Sequence, residues 1–307
     1  MKKLLLLATG ILLALFTFMQ VDIVAKADDH YSIDKYIVNT KVSKSGNANV
    51  TQKVTYNFSG TFNGVNNIID LRGSGGGTDP EVYIQQNGDT RQTFELPDAD
   101  VSNVEDWLTI KNSGKKETVK VYNQVTDQKV TYIYKYEIFD LVKSYQDTAD
   151  ITWKIIGSHW EVPLNNVRLT VQLPQSKISK LQAWTHGPLA GYTKVDRKNG
   201  SVTMSVDQVP KGQFVESRIL FPNSVTPTNT NTSRKQIKPT VYKQEKQWIA
   251  EANQTRHLHR FASFYAIPLY LVLIVVIAGF IYYKWKTSPA IKISRLKEIH
   301  HWFEIPD

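Results

Sequence analysis

The stretch Asn47–Phe58, NANVTQKVTYNF, decides the fold. Ala48, Val50, Val54, Tyr56 and Phe58 fall on one side of an extended chain, with Asn49, Thr51, Lys53, Thr55 and Asn57 on the other. Successive side chains of a strand point to opposite faces, so this alternation predicts a strand with one face in a core and one in water. The same period recurs in Val130, Tyr132, Tyr134, Tyr136 and Ile138, and again in Ile151, Trp153 and Ile155. Val167, Leu169, Val171 and Leu173 form a further run, followed by Val202, Met204 and Val206. Turn formers punctuate these runs at Ser45-Gly46-Asn47, Asn87-Gly88-Asp89, Asn112-Ser113-Gly114 and Asn199-Gly200, the last read as a hairpin. No stretch between 31 and 221 shows a helical apolar period. The expectation is a mainly β region built as an antiparallel β-sandwich, either one or two in tandem near residues 30–110 and 115–222.

Two apolar segments bracket that region. Met1-Lys2-Lys3 and the run Leu4–Met19 read as a signal peptide over residues 1–27, with Ala25 and Ala27 setting cleavage before Asp28. Phe261–Tyr283 is a run of 23 residues without a charge. At about 1.5 Å per residue it spans a hydrocarbon core of roughly 30 Å. It therefore reads as a single transmembrane α-helix, with Tyr265, Tyr270, Tyr282, Tyr283 and Trp285 as interfacial anchors. A leader exports the chain behind it and the second segment stops transfer, which places residues 28–260 outside and the stub 284–307 in the cytoplasm. Residues 223–240, rich in Thr, Asn and Pro, read as a linker, and 241–260 as a juxtamembrane helix.

Composition limits the chemistry. The chain has no Cys, which excludes disulfides, Cys-ligated zinc and a lipid-modified cysteine anchor. The net charge is +9, yet residues 28–233 carry 22 Lys+Arg and 22 Asp+Glu and are neutral. The basic excess lies beside the apolar segments, where an anionic bilayer surface attracts it. Nucleic-acid binding needs a basic face on the folded region, so it is not expected.

Four constellations invite a functional reading. Gly73-Ser74-Gly75-Gly76-Gly77 lacks the Gly-Lys-Ser/Thr ending of a phosphate-cradling loop and reads as a flexible inter-strand loop. His159-Trp160-Glu161 would put His159 and Glu161 on one face of a strand, an acid–base or metal pair without a third ligand. Asp98/Asp100 and Glu105/Asp106, before Trp107, offer carboxylates for calcium or glycoside chemistry, but spacing within a loop sets no pair across a cleft. His257, His259, His300 and His301 flank the membrane segment and invite a pH-sensor reading. Ordinary structural or interfacial roles account for each. No catalytic, cofactor-binding or metal residue is assigned, and the chain is not expected to be an enzyme.

Several ordered segments resemble one family. Ile33–Val42, Ala48–Phe58 (ANVTQKVTYNF) and Phe62-Asn63-Gly64-Val65 are followed by Thr131–Tyr136 (TYIYKY) and Ile151–Gly157 (ITWKIIG). Trp160–Leu164 (WEVPL), Val167–Pro174 (VRLTVQLP) and Phe221-Pro222 complete the series. Together they resemble the bacterial predicted membrane proteins that carry the domain of unknown function 2207. That resemblance implies an exported β domain followed by a membrane span, and it transfers no catalytic residues. Relatives continue into a longer cytoplasmic part, so the resemblance also implies a truncation at Asp307. The expected partners are the lipid bilayer and an envelope protein or cell-wall component. The rival readings are a hydrolase of wall glycan and a subunit of a signalling or assembly complex.

Overall fold

The computed structural model describes residues 29–96 and 106–287. In chain order the strands are β1 (His30–Val42), β2 (Ala48–Ser59), β3 (Thr61–Asp70), β4 (Gly76–Gly77), β5 (Glu81–Gln86) and β6 (Asp89–Gln92). Next come β7 (Phe94–Glu95), β8 (Trp107–Ser113), β9 (Lys116–Thr126), β10 (Lys129–Phe139), β11 (Lys143–Ser144) and β12 (Ala149–Ile156). The series closes with β13 (Leu164–Gln172), β14 (Gln182–His186), β15 (Tyr192–Asp196), β16 (Ser201–Val209) and β17 (Val215–Phe221), followed by helix α1 (Lys238–Thr287). The chain forms two compact units, one ending at Lys243 and the other beginning at Gln244. The expected signal peptide, Asp98, Asp100, Glu105, His300 and His301 lie outside the described residues.

The alternation read from the sequence holds. In β2, Val50, Gln52, Val54, Tyr56 and Phe58 are buried while Asn49, Lys53 and Asn57 are exposed. Nine strands form one sheet in the order β15-β16-β13-β1-β2-β10-β5-β6, with β4 pairing β10. Two four-stranded sheets, β11-β12-β17-β14 and β3-β9-β8-β7, pack with it around one continuous apolar core. Strands from both halves of the region share the large sheet, since β1 pairs β13 and β2 pairs β10. The sandwich is therefore one, not two in tandem. The pairing of β1 with β13 is parallel, against the antiparallel expectation. The long route from β2 through β12 returns the chain to the free side of β1 in the same direction, as only a crossover permits.

The large sheet passes directly into the β3-containing sheet. Asn57 opposes Lys129 in the pair β2–β10, and Thr61 opposes Thr126 in the pair β3–β9. Both chains of this two-stranded ribbon bend at the same level. There the N–H of Gly60 donates to the Asp127 carboxylate (2.7 Å), and the N–H of Phe58 to the Gln128 carbonyl (2.9 Å). Strands that switch sheets through such a bend form the corner of a sandwich. The Asn87-Gly88 turn predicted from the sequence has both residues at positive φ and closes the β5–β6 hairpin.

Residues 223–237 are not a free linker. The side-chain amides of Asn229 and Asn231 donate to the carbonyls of Val142 (3.1 Å) and Asp140 (3.2 Å), and Val225 is buried. Polar composition misleads here because Asn amides replace strand hydrogen bonds along the β unit. The Asp147 carboxylate then accepts from the backbone N–H groups of Ile237 (3.0 Å) and Lys238 (2.9 Å), capping the start of α1. From Lys238 the helix runs through 50 residues, so the juxtamembrane and membrane segments are one element. Pro268 lies inside it. Within this helix Phe264 is 79% and Val275 70% exposed, and the stretch is long and apolar enough to cross a bilayer.

Candidate binding cleft

The sandwich corner carries a cluster of rings. Tyr56 and Phe58 are two apart on β2 and so share its buried face, their rings stacked at 5.5 Å. Register places Tyr31 of β1 opposite Phe58, and the ring centroids lie 6.3 Å apart. Beyond the bend, Phe62 of β3 returns to meet Phe58 at 5.0 Å and Tyr31 edge-on at 5.8 Å. Such pairs add stabilisation beyond area burial.

Above these rings lies a cleft of about 330 Å³. Its walls are Tyr31, Tyr56, Phe58 and Phe62 together with residues of β3, and its rim is the loop after β12. That loop contributes His159, Trp160 and Glu161. Trp160 is half-buried, packs edge-on against Tyr36 at 5.5 Å, and has its carbonyl held by the N–H of Gly212 (3.1 Å). Its anchoring leaves His159 and Glu161 exposed on either side. Lys116 Nζ stands 3.3 Å from His159 Nε2. Burial, and after it the charge of Glu161, raises the Tyr31 phenol above its ordinary value.

Opposite the loop, β3 presents its backbone. Gly64 sits at a bulge with φ +138°, and a Cβ there would overlap the Val121 carbonyl oxygen. Glycine is required by this close approach of β9.

The sequence-predicted candidates separate clearly. His159 and Glu161 both line the cleft, but from a loop; the strand that would have put them on one face ends at Ile156. The Gly73–Gly77 loop is ordered, since Gly76 and Gly77 pair with Phe139 and Ile138 while the Gly75 N–H donates to the Phe139 carbonyl (2.7 Å). Asp106 is engaged by Arg91 and by the Asn123 amide (2.7 Å). His257 and His259 lie on α1. No group of three or more His, Asp or Glu suited to a metal occurs among the described residues.

Two polar features went unread in the sequence. Gln52 occupies the buried phase of β2, and its amide donates to the Tyr36 hydroxyl (2.9 Å) and to Asn67 Oδ1 (3.2 Å). A polar residue in the apolar phase of an alternating strand is the signal that marks it. Glu117 at the start of β9 is 7% exposed, its Oε2 lacks a hydrogen-bond partner among the described residues, and burial, with the charge of Asp79, lifts its carboxyl to about 7.

The model of the predicted membrane protein (DUF2207) N-terminal domain matches residues 32–221. The chain belongs to the DUF2207 family. The match covers the corner and every cleft residue except Tyr31. No curated protein matches the chain. Among solved structures, a protein of Parabacteroides distasonis provisionally named a protease aligns at 10% identity and a TM-score of 0.39, over 61% of this chain and 40% of that one. An M1 zinc metallopeptidase from Deinococcus radiodurans aligns at 14% identity and a TM-score of 0.31, over 61% and 42%. The DUF2207 chain thus spans about two-fifths of the length of those proteins, and likeness at these scores carries no argument about its chemistry.

Proposed function

We propose that this DUF2207 protein is a membrane-anchored binding module. Its β unit stands outside the cytoplasmic membrane, its C-terminus lies inside, and its cleft holds an envelope protein or cell-wall component without chemical turnover. The observation that carries this reading is a concave cleft in which aromatic rings stand beside the polar groups of Asn66, His159 and Glu161, the build of a ligand site. Glycoside hydrolysis uses two carboxylates across the substrate, and Glu161 is the single carboxylate among the described lining residues. The apolar helix and the leader read in the sequence support the placement.

Protease added to intact cells is expected to remove the β unit and spare a C-terminal tag. Full-length protein in mild detergent should retain an envelope component that a Phe62→Ala variant of equal stability releases. Retention indifferent to Phe62, together with a protected β unit, would sink the reading.

A further inference from the structure

Two observations about the cleft converge on one class of ligand. The first is an open sheet edge. β3 is the terminal strand of its sheet and pairs with β9 alone. The backbone groups of Gly64–Ile68 that point away from β9 have no hydrogen-bond partner among the described residues. The pocket is bordered by this edge, since Gly64, Val65, Asn66 and Ile68 line it. At about 3.3 Å per residue, Phe62–Ile68 offers an extended chain an edge of roughly 20 Å. Main-chain pairing to such an edge gives affinity, and pockets beside it read alternate side chains.

The second observation is charge. Five aromatic side chains, Tyr31, Tyr56, Phe58, Phe62 and Trp160, line the cleft, and the fixed charge among its lining residues is that of Glu161. Aromatic faces present negative electrostatic potential, and a carboxylate beside them favours a cation. At the same corner the carboxylates of Asp29 and Asp127 adjoin Gly60. Lys116 reaches His159 from outside the lining. Aromatic faces with a carboxylate beside them suit an aliphatic stem that ends in an ammonium group.

We propose that the cleft takes an extended peptide that adds to the free edge of β3 and inserts a lysine-type side chain between the aromatic walls, its ammonium at Glu161. This rests on the reading of the cleft as a binding site and names what it binds. In the complex the ammonium donates to the Glu161 carboxylate, the stem lies against Phe62 and Tyr31, and peptide N–H and C=O groups pair with β3.

Full-length protein in a non-ionic polyoxyethylene detergent is titrated with an acetylated, amidated pentapeptide of alternating threonine and valine with lysine at its centre. Binding is followed by ligand-observed NMR. A norleucine counterpart removes the charge at nearly constant shape, and a counterpart N-methylated on either side of the lysine blocks edge pairing. Expected are about fivefold to tenfold weaker binding for the norleucine peptide, the scale of a partly desolvated cation–π contact. A comparable loss is expected on Glu161→Gln, together with a larger loss for the N-methylated peptide. Glu161 is exposed, so the variant should melt with the wild type. Equal binding of the norleucine and lysine peptides overturns the charge assignment, and equal binding of the N-methylated peptide overturns the edge pairing. Binding of chitin oligosaccharides but not of the peptides overturns the proposal and leaves the cleft a binding site. If neither probe binds and no envelope component is retained, the functional reading falls with it.

Discussion

Replacing Glu117 by Gln tests whether the buried end of β9 governs stability as its environment implies. The carboxyl titrates at about 7 in the folded chain against an ordinary 4.5, burial contributing first and the charge of Asp79 second. Between those values the folded state binds the proton more firmly than the unfolded one. Stability therefore falls as pH rises from roughly 4.5 to 7 and levels off above, where both states are ionised. The full gap corresponds to roughly 3 kcal/mol at 1.36 kcal/mol per pH unit. Relaxation and residual solvent access reduce this to about 2 kcal/mol. Gln keeps the shape and a carbonyl acceptor but carries no charge. Melting of the β unit in non-ionic detergent should show Glu117→Gln close to wild type near pH 4.5. By pH 8 the variant should be more stable by about 2 kcal/mol, or roughly 4–8 °C in Tm for a unit of this size. Curves for variant and wild type that run parallel from pH 4.5 to 8 would refute the reasoning, because they would mean that the buried carboxyl does not titrate in this window.

Three further perturbations probe the frame around the cleft. Gly64→Ala forces a Cβ onto the Val121 carbonyl at φ +138°, so denaturant unfolding should show a loss on the order of 2 kcal/mol or more. Arg218 donates to the Asp150 carboxylate at 3.2 Å, with Asp150 side chain 7% exposed, and burial lifts that carboxyl above its usual range despite the arginine. Arg218→Met should cost about 3 kcal/mol by stranding Asp150, and adding Asp150→Leu should recover most of it in chemical denaturation. Asp147→Ala removes the cap from Ile237 and Lys238 and should cost about 1 kcal/mol, read as faster amide exchange over residues 237–241. Burial pushes the Asp147 carboxyl up, but the N–H groups of Ile237 and Lys238 together outweigh it and hold the carboxyl below its ordinary 3.8, so the cap's contribution persists at neutral pH and disappears only as pH falls below about 4.

What a single strand encodes was legible, and what depends on partners was not. The alternation of Val130–Ile138 fixes which side chains face the core, and Tyr132, Tyr134 and Ile138 are indeed fully or almost fully buried. Alternation fails where a bulge shifts the phase: in β12 the irregularity between Lys154 and Ile156 buries Ile156 and leaves Ile155 partly open. Nothing in the local sequence of β1 names β13 as its neighbour, because register and direction are set by long-range pairing. The cleft was unreadable for the same reason. Tyr31, Phe58 and Phe62 come from three strands: long-range register sets Tyr31 opposite Phe58, and the bent ribbon brings Phe62 within 5.0–5.8 Å of both.

The corner also accounts for the open edge of β3 beside the cleft. Because β2 continues into β3 and β9 into β10, the ribbon delivers β3 to the second layer with β9 already paired on one side. Its other side would be closed by a neighbouring strand, yet β7 joins at β8, and β12 belongs to a separate sheet. An exposed edge is a hazard for aggregation unless it is bent, charged or covered. The bulge at Gly64 bends this one, and the Trp160 loop stands beside the pocket that it borders. Among the described residues this edge is unpaired beside an aromatic cleft, which leaves the hydrogen-bonding surface that strand addition needs. The basic excess of the chain lies instead beside its apolar segments, where a bilayer surface can use it.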